Sequence, residues 1–112
     1  MFDHVSIGVA DIARSKKFYD ATLKPLGFSL LSDGESSLGY GDKEVQLWLG
    51  AAKKPVKPDP DSNLHFCFVA KDRAAVDAFH AGALKAGGQD NGKPGVRADY
   101  GPKYYAAFAI FS

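Results

Sequence analysis

The chain is poor in the features that would point to several large classes of protein. It has one cysteine, Cys67, in 112 residues, so no disulfide can form within the chain. A reducing compartment suits that composition. Net charge is only +1, with a pI near 7.8. A basic footprint for nucleic acid or an anionic membrane surface is therefore missing. The longest apolar run, Tyr104 to Phe111, is far too short to cross a bilayer. The opening residues Met-Phe-Asp-His-Val-Ser-Ile-Gly-Val have no positive flank and no apolar block of the signal-peptide kind. The expectation is a cytoplasmic protein without nucleic-acid or membrane partners. The glycines match no phosphate-cradling pattern, and no Ser-His-Asp or paired-carboxylate arrangement can be argued. Hydrophobic residues make up 46% of the chain, enough to build one core. Residues 1–112 thus read as a single domain.

What the chain does have is an internal repeat. Shifting it by 61 positions places His4 on His65, Asp11 on Asp72, Ala13 on Ala74 and Phe18 on Phe79. The same shift places Leu23 on Leu84, Lys24 on Lys85 and Gly27 on Gly88, without a gap. Chance supplies two or three such identities. Seven, with a shared apolar pattern between them, argue for a duplicated unit.

Each copy opens with a strand pattern. Val5, Ile7 and Val9 alternate with His4, Ser6 and Gly8; Phe66 and Phe68 alternate with His65 and Cys67. Both histidines therefore lie on the face turned away from the helices. Asp11 and Asp72 are N-cap candidates for the helices that follow, because a short carboxylate accepts from first-turn amides. Ile12, Phe18, Tyr19, Thr22 and Leu26 can form the apolar stripe of the first helix. Val76, Phe79, Ala83 and Leu84 can form that of the second. Pro25 ends the first helix, and Gly27 and Gly87-Gly88 are stop signals. Strands are then expected at 28–32, 36–41 and 44–50, with turns at Asp33-Gly34 and Gly41-Asp42. The proline-rich stretch 53–61 reads as a linker. The second half shows a strand near Gln89, a long loop from Asn91 to Lys103 and a strand from Tyr104 to Phe111. The strand 44–50 has no counterpart there. The repeat thus predicts one more strand beyond Ser112, or a partner or terminal rearrangement in its place. The modules run 1–52 and 62–112.

The segments His4-Val-Ser-Ile-Gly-Val-Ala-Asp11, Phe18-Tyr19, Pro25-Leu-Gly-Phe28, His65-Phe-Cys-Phe-Val-Ala70 and Tyr104-Tyr-Ala-Ala-Phe108 carry a resemblance. Together with the duplication they resemble the glyoxalase-like branch of the vicinal oxygen chelate superfamily, which includes glyoxalases, bleomycin-resistance proteins and extradiol dioxygenases. The resemblance implies an α+β fold of two tandem βαβββ modules, with mixed sheets around a cleft and a homodimeric assembly. In that family the first strand of each module supplies a metal ligand; His4 and His65 occupy those positions. The last strand of the first module supplies another in some lyases, and Gln46 matches it by parity. The carboxylate usually found on the last strand of the second module has no equivalent in this sequence. Two imidazoles and a carboxylate would hold zinc, iron, manganese or nickel with positions left open for vicinal oxygens. The resemblance also implies a small-molecule ligand.

Each candidate has a plainer reading. His4 and His65 suit a polar cleft face without any metal, and Gln46 suits a solvated strand. Trp48, Tyr40, Tyr100, Tyr104 and Tyr105 could line an aromatic pocket, although strand aromatics usually belong to the core. Arg97 in the long loop could meet an anionic group, or water. Cys67 reads as a buried, inert thiol, and His80 as a structural or exposed helix residue. Two functions stay open. One is a metal-dependent lyase or dioxygenase acting on a small oxygenated or thiol-conjugated molecule. The other is a metal-independent binder of small, antibiotic-type molecules. A domain that only dimerises is the plainest alternative.

Overall fold

A computed structural model of the chain describes residues 1–111. It contains β1 (Val5–Val9), α1 (Ile12–Leu23), β2 (Ser29–Asp33), β3 (Ser37–Gly41) and β4 (Val45–Ala51), followed by α2 (Arg73–Lys85) and four two-residue strands. These are β5 (Gln89–Asp90), β6 (Gly95–Val96), β7 (Tyr105–Ala106) and β8 (Ala109–Ile110). The protein is a mixed α+β fold, as expected. Among the described residues, no helix is long and apolar enough to cross a membrane.

The first four strands form one sheet in the order β1-β4-β3-β2. β1 runs parallel to β4, with Val5 opposite Leu47 and Ile7 opposite Leu49. The hairpins β2–β3 and β3–β4 are antiparallel. Alternation decides which face is buried. Leu47 and Leu49 point into the core while Gln46 is exposed and Trp48 half-buried. The buried cluster is Val9, Leu23, Leu38, Tyr40, Leu47 and Leu49, all from the first 49 residues. Phe68 is the one residue of the second half packed against its margin among the described residues.

The helices begin where their caps dictate. Asp11 accepts from the Arg14 amide at 3.0 Å and Asp72 from the Ala75 amide at 2.8 Å. α1 stops at Leu23, and Pro25 sits in a short 3-10 turn, Lys24–Leu26. Gly27 then takes a left-handed φ of 86°, which releases the chain into β2. α2 packs on α1, and Gly82 makes that approach close. A Cβ there would sit 2.7 Å from the Ala21 carbonyl oxygen.

The second half departs from expectation. Residues 65–68, read from the sequence as a strand, pair with no strand, and neither do their neighbours in 64–70. β1 is held by β4, and nothing among the described residues takes β4's place beside 64–70. Backbone amides and carbonyls make a strand only when a neighbour receives them. The expected strand 104–111 is present as two short pieces, one paired with β5 and the other with β6. β6 itself falls inside the expected long loop. Cys67, expected to be buried, is exposed for the same reason: no strand covers its segment. A strand beyond Ser112 lies outside the described residues.

Candidate functional site

A cavity of about 330 Å³ lies between the free side of β1, α1, the linker and residues 107–111. Each wall follows from local sequence. The free edge of β1 is closed in part by the linker: the Val56 amide donates to the Gly8 carbonyl at 3.1 Å. The proline-rich linker cannot go on pairing, so it swings away and leaves a wall at Val56–Pro60. α1 turns Phe18, Tyr19 and Thr22 toward the space. Phe111 stacks on Phe18 with ring centroids 3.9 Å apart, and Arg14 lies 4.7 Å over the Phe111 ring.

The lining is mainly apolar, and its rings come from Phe18, Tyr19, Phe66, Phe68, Phe79, Phe108 and Phe111. Polar groups sit among them: Lys57, Asp59, His65 and Asn91. Burial pushes the Tyr19 phenol up, so it remains protonated at neutral pH. An apolar, ring-lined space with a few polar groups suits a flat organic ligand.

The histidines predicted to share a metal are placed differently from one another. His65 lines the cavity, its ring 6.4 Å from that of Phe108. His4 is exposed, and its Nδ1 lies 2.8 Å from Asp3 Oδ1. The parallel register puts His4 level with Gln46, one residue before the Val5–Leu47 pair. These two side chains share the open sheet face with Trp48, which leans on Gly39. Among the described residues, no three His, Cys, Asp or Glu side chains gather where one ion could be held. Two imidazoles and an amide, one imidazole already engaged with Asp3, make a poor divalent-ion site. The donor set therefore does not fit the metal that the family implies.

The other expected ligand residues divide. Tyr40 is a core residue, 2% exposed, and its hydroxyl donates to Asp20 Oδ1 at 2.8 Å. Burial and then the Asp20 carboxylate hold that phenol far above its usual range. Tyr100 is mostly exposed and packs on Tyr104 at 5.2 Å. Arg97 donates to the Lys93 carbonyl and lies 5.6 Å over the Phe108 ring, outside the lining. Tyr105 lines a second cavity, donates to Asp77 at 2.6 Å and carries Arg73 over its ring. Its phenol is pushed up, first by the bond to Asp77. His80 is structural: it is buried, with Nε2 2.9 Å from Asp90 Oδ1. Asp90 also accepts from the Gly92 amide at 3.0 Å, and that bond, with the one to His80, lowers its pKa.

Sequence reasoning missed the aromatic wall. The repeat carries its signal, since Phe18 and Phe79 are repeat partners and both line the cavity. Helical spacing made them read as core.

A layered sheet and helix pair, with a ring-lined cavity where the second half meets the first, defines the α+β class of this protein. The chain belongs to the Glyoxalase/Bleomycin resistance protein/Dioxygenase superfamily, whose model matches residues 1–109. It is similar to a glyoxalase/bleomycin resistance protein from Albidiferax ferrireducens T118, with 34% identity, a TM-score of 0.72, and coverage of 87% of this chain and 81% of that one. A hypothetical protein from S. aureus shares the fold, with 19% identity, a TM-score of 0.67, and coverage of 97% of this chain and 85% of that one. No curated protein matches the chain.

Proposed function

We propose that this protein binds a planar aromatic small molecule in the cavity beside β1, without a metal, in the manner of the bleomycin-resistance side of its superfamily. The observation that carries this reading is the ring-lined cavity of about 330 Å³, which falls at the lower end of the range for small-molecule sites. Phe18, Phe108 and Phe111 would sandwich the ligand, and His65, Asn91 and Lys57 would orient its polar substituents. Trp48 and Gln46 face the other side of the sheet and would not touch it. Tyr40 serves the core. The chain acts in this reading as one domain of two modules, 1–52 and 62–112, in the cytoplasm and as a homodimer.

A second reading keeps the lyase or dioxygenase chemistry and rests on one observation: His4 and Gln46 stand level on neighbouring strands of the open face. It needs donors beyond these two, because a catalytic divalent ion is ordinarily held by three protein ligands.

Amide-resolved NMR titration with planar aromatic compounds, bleomycin-type bithiazoles among them, distinguishes the readings. Binding should move the amides of residues 56–59 and 107–110 and leave those of 46–48 in place. Shifts confined to the open face would overturn the cavity reading. Stoichiometric zinc, nickel, manganese or iron binding that shifts both His4 and His65 rings would restore the metal enzyme.

A further inference from the structure

We propose that His80 is a positioning residue for the ligand cavity: through Asp90 it fixes a bulge at Asn91–Gly92, and the bulge sets Asn91 and Phe108 in the cavity wall. The role rests on the cavity beside β1 being the ligand site. It gives part of that site's affinity to a side chain that does not itself line the cavity.

The bulge interrupts the β5–β8 ladder. Gln89 faces Ile110 there, and Asp90 faces Ala109. One step further the count changes. The Asn91 amide donates to the Phe108 carbonyl at 3.0 Å, but the Phe108 amide donates to the Gly92 carbonyl at 2.8 Å. Two residues thus oppose one, and such a bulge re-aims the side chains around it. Those side chains are Asn91 and Phe108, and both line the cavity. Gly92 takes a φ of 148°, and a Cβ on it would sit 3.0 Å from Phe108 Cδ2. A larger residue would be strained there and would crowd the ring.

A bulge disrupts the ladder locally, and the amide it displaces needs another acceptor. The Gly92 amide donates to Asp90 Oδ1 at 3.0 Å. The same oxygen lies 2.9 Å from His80 Nε2. An ionised carboxylate only accepts, so Nε2 carries the proton of this bond. The two bonds lower the Asp90 pKa and keep its carboxylate charged at neutral pH. The path from helix to cavity wall is therefore continuous: His80, Asp90, the Gly92 amide, the Gly92 carbonyl and the Phe108 amide.

The repeat sharpens the assignment. Of the chain's three histidines, His80 alone is buried. The shift of 61 residues places it on Tyr19, whose ring lines the cavity directly. In the second half the same helix position holds an imidazole turned to Asp90, behind the wall. A bond made for stability alone would move only the unfolding free energy. A bond that sets the wall also moves ligand affinity in the folded protein.

The test measures the Kd of naphthalene-2-carboxylate, a planar probe with one polar group, by NMR titration of the folded chain. Amide exchange is followed in parallel without the probe. His80→Leu removes the donor at similar bulk and should bind about tenfold more weakly. Its Asn91 and Phe108 amides should exchange faster, while those of the β1–β4 ladder stay unchanged. Asp90 is exposed, so Asp90→Ala keeps the test open if His80→Leu fails to fold. Asp90→Ala should match His80→Leu, and the double variant should lose little more, because both act through one chain of bonds. His80→Gln and Asp90→Asn keep the donor and the acceptor, and each should recover most of the affinity. Unchanged affinity in the two truncations overturns the proposal. So does exchange at Asn91 and Phe108 that no variant alters, or a loss in both conservative variants equal to that of the truncations. A wild type that binds no planar probe overturns the cavity reading instead, and the exchange readout then decides alone whether His80 fixes the bulge.

Discussion

Two stretches of nearly the same pattern, His4-Val-Ser-Ile-Gly-Val and His65-Phe-Cys-Phe-Val-Ala, end in different structures. The first is a paired strand at the side of a four-stranded sheet. The second is unpaired and largely exposed. Both precede a helix capped by an aspartate at the equivalent position, so local signals do not separate them. The neighbour does. Val5–Val9 has β4 beside it, and 64–70 has none. β propensity thus reports the fit of a side chain to a pleated surface that must already be there. The imbalance extends to the core. All six residues of the buried apolar cluster lie in the first half, whereas the buried residues of the second are Ala75, His80 and Ala83.

Core truncation should break the symmetry of the repeat most strongly. Leu49 is fully buried beside Ile7, so Leu49→Ala should cost about 3 kcal/mol in urea unfolding. Phe66→Ala, at a half-exposed site in the other half, should cost less than about 1 kcal/mol. Equal losses would mean that the second half holds a core of similar weight.

The helix contact joins the halves and gives the next effect. Gly82→Ala adds a Cβ against the Ala21 backbone, and the overpacking should outweigh the gain in helix propensity. A net loss of about 1 kcal/mol is expected in thermal melts, while a gain would show that α1 and α2 can move apart freely. The caps should behave alike in both halves: Asp11→Ala and Asp72→Ala are each expected to lose about 1 kcal/mol by denaturant titration. A large excess at Asp11 would mean that α2 is only weakly coupled to global unfolding.

The smallest effect concerns pH. The Gly92 amide and His80 lower the Asp90 pKa in the folded state, so Asp90 binds its proton more weakly there than in the unfolded chain. The stabilisation is present above the ordinary carboxylate range and is lost as pH falls through the lowered value. Asp90→Asn should therefore flatten the acid limb of a stability–pH profile while leaving its neutral slope unchanged. An unaltered acid limb would remove Asp90 from the linkage between α2 and β5.

Much of the fold was legible in the sequence because its signals are local. Asp11, Asp72, Pro25 and Gly27 do what cap and stop chemistry requires, and β2, β3 and β4 begin within one residue of the expected positions. The site was less legible, because it forms between segments far apart in sequence. Alternation placed Gln46 and Trp48 on the open face but could not say that the aromatic cavity would form on the other side. Tyr40 reads as a pocket candidate because it is a strand aromatic, and sequence alone does not separate such a ring from a core residue; the structure buries it. Cys67 reads from the sequence as a buried, inert thiol, yet it is exposed, because only a neighbouring strand would cover its segment.

Site-resolved amide hydrogen exchange compares the two stretches directly. Amides of β1 and β4 that bond across their ladder should exchange only through global unfolding, whereas those of residues 65–71 should exchange close to the rate of an unstructured peptide. Comparable protection in both stretches would contradict the account, because it would show that 64–70 is already paired.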